Sequence, residues 1–205
     1  MSELAVLAKA KVGDRVPLPE ARRDGAEAVE KLLARRRSVR RYRPDPLSLA
    51  DIAQLLWSAQ GITADGGLRA APSAGARYPL ELYLACAEGL FRYLPAEHGL
   101  EKTWAEDVRP ALCAAAFGQS FVGEAPVSLL FAAVYARTTR RYHERGVRYV
   151  HIDVGHAAEN VHLQAEALGL ASVPVGAFDD AAVAAAAHLP KEHEPLYVIP
   201  VGRQA

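Results

Sequence analysis

Arg148–Gly169 reads RYVHIDVGHAAENVHLQAEALG, and the rest of the chain is arranged around this stretch. Val150, Val154, Ala157, Val161, Ala165 and Leu168 recur at steps of three or four. That spacing predicts one long amphipathic helix from about Arg148 to Leu168. Gly169 supplies its stop, because helices commonly end on a residue in the left-handed region. An apolar run lies on each side. Val127–Tyr135, opened by Pro126, predicts a buried strand before the helix. Ala171–Ala177 predicts a strand after it, broken by Pro174 and Gly176. Asp179 then caps a short helix to about Ala187, and Leu196–Val201 closes the chain as a strand.

Toward the N-terminus, Ser48 and Asp51 form an S-x-x-D start signal. Leu49, Ile52, Leu55, Leu56 and Ala59 follow at helical spacing, with Gly61 as the stop. Gly66-Gly67 opens a loop that runs to Pro79. Leu80–Ala87 reads as a buried strand. Leu90–Leu94 and Gly99–Trp104 read as a hairpin turning at Pro95–His98. Helices are expected at about Gly25–Arg36 and Val108–Phe117. Residues 1–24, with Gly13, Pro17 and Pro19, read as an N-terminal arm, and 25–205 as a single domain. Helices and strands mix without strict βαβ alternation, so the class is α+β.

The bulk numbers bound the function. The 205 residues are 51% hydrophobic and 23% charged, ordinary values for a globular chain. The 24 Lys+Arg balance 24 Asp+Glu, so no global field favours nucleic acid or an anionic membrane. No run approaches the ~18–20 apolar residues of a membrane span, and Met1–Lys11 lacks a signal-peptide core. Cys86 and Cys113 match no zinc or redox spacing, so a reduced, cytoplasmic protein is expected. No metal site is expected either. His151, His156 and His162 lack the i, i+4 pairing of a zinc helix, and Asp153, His156 and Glu159 read as an ion-paired helix face.

Charge is local instead. Six arginines, Arg35, Arg36, Arg37, Arg40, Arg41 and Arg43, fall within nine residues. Within them, Arg36-Arg37-Ser38-Val39-Arg40 offers guanidinium forks, a hydroxyl and free backbone N–H groups, which suit a phosphate monoester. The same residues also describe a solvated basic helix end. Pro72-Ser73-Ala74-Gly75 is small enough for close backbone approach to a flat ligand, or is an ordinary loop. Pro174-Val175-Gly176-Ala177 offers main-chain N–H groups to a planar ring, or is a buried strand with a bulge. Arg203 either completes an anion site or decorates the surface.

The order and spacing of these four segments resemble the nitroreductase-like FMN flavoprotein family, over about residues 30–203. Gly155-His156-Ala157-Ala158-Glu159-Asn160, the run Leu163–Leu170 and the run Ser73–Glu81 are similar to its SagB-type, azoline-dehydrogenase branch. The resemblance implies a nitroreductase-like fold: a central mixed β-sheet flanked by helices, in an intertwined homodimer with FMN at the interface. Arg36, Arg37, Ser38, Arg40 and Arg203 would hold the FMN phosphate and ribityl chain. Pro72, Ser73, Ala74 and Gly75 would contact the partner subunit's flavin. Pro174, Val175, Gly176 and Ala177 would line the ring, with a main-chain N–H near flavin N5. Arg141-Tyr142 is the nearest match to the Lys-Tyr pair of azoline oxidases. Arginine keeps its proton near neutral pH, so the Tyr142 hydroxyl is the catalytic candidate there.

The implied activity is a ping-pong oxidoreductase. NADH or NADPH would reduce FMN, and a nitroaromatic, quinone or flavin acceptor would reoxidise it. No Gly-x-Gly-x-x-Gly follows a strand, so no Rossmann site is expected. An azoline dehydrogenase acting on a modified peptide, and a non-catalytic FMN-binding module, are the alternatives.

Overall fold

Alternation along three central strands decides the layering. In β4 (Leu80–Cys86), Leu80, Leu82, Leu84 and Cys86 face one core, while Tyr83 and Ala85 face another. β7 (Val127–Ala133) repeats the division, with Val127, Leu129 and Phe131 on the first side and Leu130 and Ala132 on the second. β9 (Glu194–Gly202) follows, with Ile199 and Val201 against Val198. A strand buried on both faces needs helices on both faces.

The computed structural model describes residues 4–205, so Met1–Glu3 of the expected arm lie outside the described residues. The arm contributes α1 (Ala5–Lys9) and β1 (Arg15–Pro17), whose Leu7 and Val16 are buried in the first core. α2 (Val29–Arg35) and α3 (Leu49–Gln60) follow, then β2 (Ile62–Ala64) and β3 (Leu68–Arg69), which pair as a small separate hairpin. β5 (Gly89–Leu94) and β6 (Gly99–Trp104) form the expected hairpin. α4 (Arg109–Ala115) and α5 (Ser120–Glu124) precede β7. α6 (Ala136–Tyr142) and α7 (Arg145–Ala167) come after it. β8 (Ala171–Ser172) and α8 (Asp180–Ala186) lead to β9.

The main sheet has seven strands in the order β1-β6-β5-β4-β7-β9-β8. α3 and α7 contribute Leu55, Leu56, Val154 and Val161 to the first core; α4, α5 and α8 contribute Leu112, Val122 and Val183 to the second. The α+β class holds. The expected mixed pairing narrows to one parallel bridge, Ser38 with Ser172, because every ladder between the named strands is antiparallel.

The predicted start of α3 is seen directly: the Ser48 hydroxyl accepts from the Asp51 N–H at 3.0 Å. Asp179 caps α8 in the same way, accepting from the Ala182 N–H at 2.8 Å. Several elements differ from expectation: α1, β1, β2, β3 and α5 lie where none was expected, and three further differences have a physical reason. α7 begins at Arg145, earlier than the apolar spacing indicated. α6 was not foreseen, since of its residues only Thr138 is buried and no apolar stripe marks it. The strand expected at Ala171–Ala177 stops at Ser172, because Pro174 has no N–H to donate; the chain rejoins the sheet only at Val175.

Candidate functional site

The arginine turn and the C-terminal tail lie on one edge of the sheet. α2 ends at Arg35, and the Arg36 N–H donates to Leu32 O at 2.9 Å, which turns the chain outward. Ser38 pairs with Ser172, and the Val39 N–H donates to Ser172 O at 3.1 Å. Tyr42 pairs with Gln204, and the Arg43 N–H donates to Arg203 O at 2.8 Å. The Tyr42 hydroxyl donates to Val39 O at 2.7 Å, with Pro200 O at 3.2 Å. Residues 36–43, 171–172 and 200–204 are therefore stitched together by backbone bonds.

Their side chains are left more open. Arg37 donates only to the carbonyls of Ala34 and Arg36, at 3.1 and 2.7 Å. The Arg40 guanidinium lies 5.8 Å from the centroid of the Phe121 ring. Neither forms an ion pair among the described residues, and Arg37, Ser38 and Arg40 are exposed. Arg203 has a loose partner, Asp51, at 3.7 Å. Arg36 is half-buried, with Nη1 at 3.4 Å from His162 Nε2 and Nε at 3.5 Å from Glu159 Oε1. Such a cluster of under-partnered cations is suited to an anion.

The segment Pro174–Ala177 continues this edge. Val175 exchanges two backbone bonds with Val198, at 2.8 and 3.0 Å. Gln119, at the start of α5, donates to Ala177 O at 2.9 Å, while Phe121 of the same helix lies under Arg40. The N–H groups of Gly176 and Ala177 have no acceptor among the described residues, and both residues are exposed. A Cβ at Gly176 would stand 3.2 Å from the Tyr197 ring, a tight contact that glycine avoids. Gly176 also lines a cavity of about 770 Å³ between α7, α8 and β9, with Tyr135, His151, Phe178 and Tyr197 on its walls. There the Tyr135 hydroxyl and His151 Nε2 are 2.6 Å apart, and burial pushes the Tyr135 hydroxyl up to about 12.

Pro72–Gly75 forms a second group with Tyr142. The Ser73 hydroxyl donates to Asp153 Oδ2 at 2.7 Å and accepts from the Tyr78 N–H at 2.9 Å. The Ala74 N–H donates to Asp153 Oδ1 at 3.4 Å. Burial holds the Asp153 carboxyl above its ordinary value, against the opposing pull of Ser73, Ala74 and His156. Gly75 has φ +59°, and a Cβ there would stand 2.4 Å from the Tyr142 hydroxyl. Tyr142 packs edge-on to Tyr149 at 5.2 Å, under the Arg141 guanidinium. Tyr142 does not line the cavity that Gly176 lines.

Two groups of predicted residues therefore emerge. Arg36, Arg37, Ser38, Arg40, Arg203, Pro174, Val175, Gly176 and Ala177 share one edge. Pro72, Ser73, Ala74, Gly75 and Tyr142 share another place, anchored on α7. Sequence reasoning missed His162, Ser172 and Asp153, which brace these segments from behind. For His162 a signal existed: it follows Ala158 by four residues and precedes Ala165 by three, on the inner face of α7. Among the described residues no three His, Cys, Asp or Glu side chains gather as metal ligands; Asp153 turns to Ser73 and Glu159 to Arg36. No helix among them is long and apolar enough to cross a membrane.

The first edge thus offers the guanidinium groups of Arg37 and Arg40, which have no ion-pair partner among the described residues, to an anion such as a phosphate, and the unbonded N–H groups of Gly176 and Ala177 to the polar edge of a flat ring.

Comparison with known proteins adds an independent line. The sequence profile of the nitroreductase family matches residues 33–203. A Methanocaldococcus jannaschii protein named as a nitroreductase is 44% identical over 182 residues, covering 86% of this chain and 91% of its own length. The crystal structure of a Ralstonia eutropha protein, also named as a nitroreductase, superimposes with a TM-score of 0.86 at 31% identity, over 96% of this chain and 92% of that one. A chain of the E. coli microcin synthetase complex superimposes with a TM-score of 0.74 at 22% identity, over 99% of this chain and 81% of that one, a likeness of fold alone.

Proposed function

The chain belongs to the nitroreductase family and is an oxidoreductase, and on that premise we propose that it is an FMN enzyme working as a homodimer in the cytoplasm. NADH or NADPH is the reductant in this reading, and a nitroaromatic, quinone or flavin-type small molecule is the acceptor, by a ping-pong route. FMN, when bound, would supply the two-electron redox chemistry. What the protein supplies is position and charge. Arg36, Arg37, Ser38, Arg40 and Arg203 hold the phosphate and ribityl chain. Pro174, Val175, Gly176 and Ala177 set the ring, and the free N–H groups of Gly176 and Ala177 are donors to its polar edge. Pro72, Ser73, Ala74 and Gly75 reach the flavin of the second subunit. The cavity beside Gly176 is of the size that takes a small acceptor.

The observation that carries this reading is the stitching of Ser38 to Ser172 and of Arg43 to Arg203, which puts chain segments far apart in sequence on one cationic edge. The test is direct. Purified protein is expected to be yellow from bound flavin, and to oxidise NADPH or NADH when given a quinone or nitroaromatic. A colourless protein that binds no added FMN refutes the reading.

A second reading, an azoline dehydrogenase acting on a peptide, is favoured by one contact. The Tyr142 hydroxyl stands against Gly75, where it can hand on a proton at the loop assigned to the second flavin. Under that reading Tyr142→Phe abolishes azoline oxidation and spares quinone reduction. A third, a non-catalytic FMN-binding module, predicts bound flavin that no nicotinamide reduces.

A further inference from the structure

His162 stands where α7 meets the arginine turn, and the chemistry proposed above does not use it. It is 3% exposed. Its Nδ1 lies 2.6 Å from the Ser172 hydroxyl, and its Nε2 lies 3.4 Å from Arg36 Nη1. A guanidinium only donates. Nε2 must therefore carry the lone pair, and Nδ1 carries the proton and donates it to Ser172 Oγ. Two neighbours thus select one neutral tautomer. A protonated ring here would be buried and would face a cation; burial first, and the Arg36 charge second, push the imidazole down to about 4.

The two partners of the ring are parts of one device. Arg36 is the first residue of the turn. Ser172 accepts the Val39 N–H through its carbonyl and pairs with Ser38. One imidazole therefore contacts the Arg36 fork on one side and the backbone support of Ser38 on the other. Glu159, one turn earlier on α7, takes Arg36 Nε at 3.5 Å. With Nε and Nη1 engaged from α7, Arg36 Nη2 has no partner among the described residues and is left for a ligand.

We propose that His162 is a positioning residue for phosphate recognition: as a neutral acceptor it fixes the Arg36 fork, and through Ser172 it fixes the Ser38 backbone, so that the turn grips the phosphate monoester of a flavin. This rests on the FMN reading of the same edge. It concerns a residue that never touches the ligand.

The test separates phosphate from ring binding. FMN and riboflavin share the ring, and only FMN carries the phosphate. Dissociation constants for both are measured by flavin fluorescence quenching on the full chain freed of cofactor, for wild type, Arg36→Ala, His162→Ala, His162→Gln and Ser172→Ala. Arg36→Ala is expected to weaken FMN by roughly tenfold or more, as loss of a charge-assisted fork does, and to leave riboflavin unchanged. His162→Ala is expected to weaken FMN by roughly fivefold, again sparing riboflavin. His162→Gln keeps most of the FMN affinity, because its amide oxygen accepts from Arg36 and its NH₂ donates to Ser172. If His162→Ala does not fold, Ser172→Ala carries the same expectation of an FMN-selective loss. Equal weakening of FMN and riboflavin by these variants overturns the proposal, since that is what a merely structural role produces. Unchanged FMN binding in His162→Ala or Ser172→Ala, with Arg36→Ala still weak, overturns it alone. Unchanged FMN binding in Arg36→Ala overturns the phosphate reading as well.

Discussion

The edge built from residues 36–43, 171–172 and 200–204 and the loop Pro72–Gly75 are both short and irregular, yet they are held in opposite ways. At the edge, backbone groups do the holding. Val39 bonds to Ser172 and Arg43 to Arg203, and the guanidinium groups of Arg37 and Arg40 stay unpaired and exposed. In the loop, side chains do the holding. Ser73 is engaged by both Asp153 and Tyr78, and Gly75 is pressed by Tyr142. The first arrangement presents charge on a fixed frame. The second presents a shape whose Ser73 hydroxyl and Ala74 N–H are already engaged. An anion therefore finds free guanidinium donors at the edge, while the loop offers close backbone approach.

If this contrast is right, the largest effect comes from the edge. Arg40→Ala with Arg203→Ala is expected to weaken FMN by about 100-fold or more, since each charge-assisted bond contributes roughly 1.5–3 kcal/mol. Equilibrium dialysis reads the loss, and urea unfolding should show little change, because neither guanidinium carries the fold. Retained flavin in the double variant breaks the contrast.

Acid should separate the two regions next. His162 titrates at about 4 when folded, below its ordinary value, so the unfolded chain binds its proton first. The stability it contributes is complete above about pH 6.5 and drains away as pH falls toward about 4, by on the order of 3 kcal/mol. Asp153 has the opposite sign. Its raised value favours the protonated folded form, so its contribution is present in acid and lost as pH rises through its folded value. Urea midpoints between about pH 6.5 and 4 should fall in wild type and flatten in His162→Gln. An identical slope in both would remove His162 as the acid-sensitive group.

A smaller change is expected from Asp153→Ala. It strands the Ser73 hydroxyl and the Ala74 N–H and should cost about 2 kcal/mol in urea unfolding. Gly75→Ala is smaller still, about 1 kcal/mol, from a methyl group forced into a positive φ and against Tyr142. Tyr142→Phe placed on top of Gly75→Ala sharpens the point: it should recover part of that loss by removing the oxygen the methyl meets.

How much of this was readable in the chain depends on the range of the interaction. α3 was legible because its start, face and stop are local: Ser48 with Asp51, the Leu49–Ala59 spacing, and Gly61. The hairpin of β5 and β6 was legible for the same reason. α6 was not, since Ala136–Tyr142 carries charge without an apolar stripe, and tertiary packing makes it helical. The four candidate site segments were legible as residue types. Their grouping came from the family resemblance and not from the residues themselves, because Ser38 meets Ser172 only once the sheet is formed. The bracing residues His162, Ser172 and Asp153 were hardest to read. A histidine on an inner helix face signals burial, but only the folded chain shows that it lies between an arginine and a serine.

The most direct test of the whole account is a crystal structure grown with FMN. It should show the phosphate oxygens within about 3 Å of the guanidinium groups of Arg40 and Arg203, with the flavin ring lying along Pro174–Ala177. A phosphate bound anywhere else, or a ring that leaves the Gly176 and Ala177 N–H groups untouched, would contradict it.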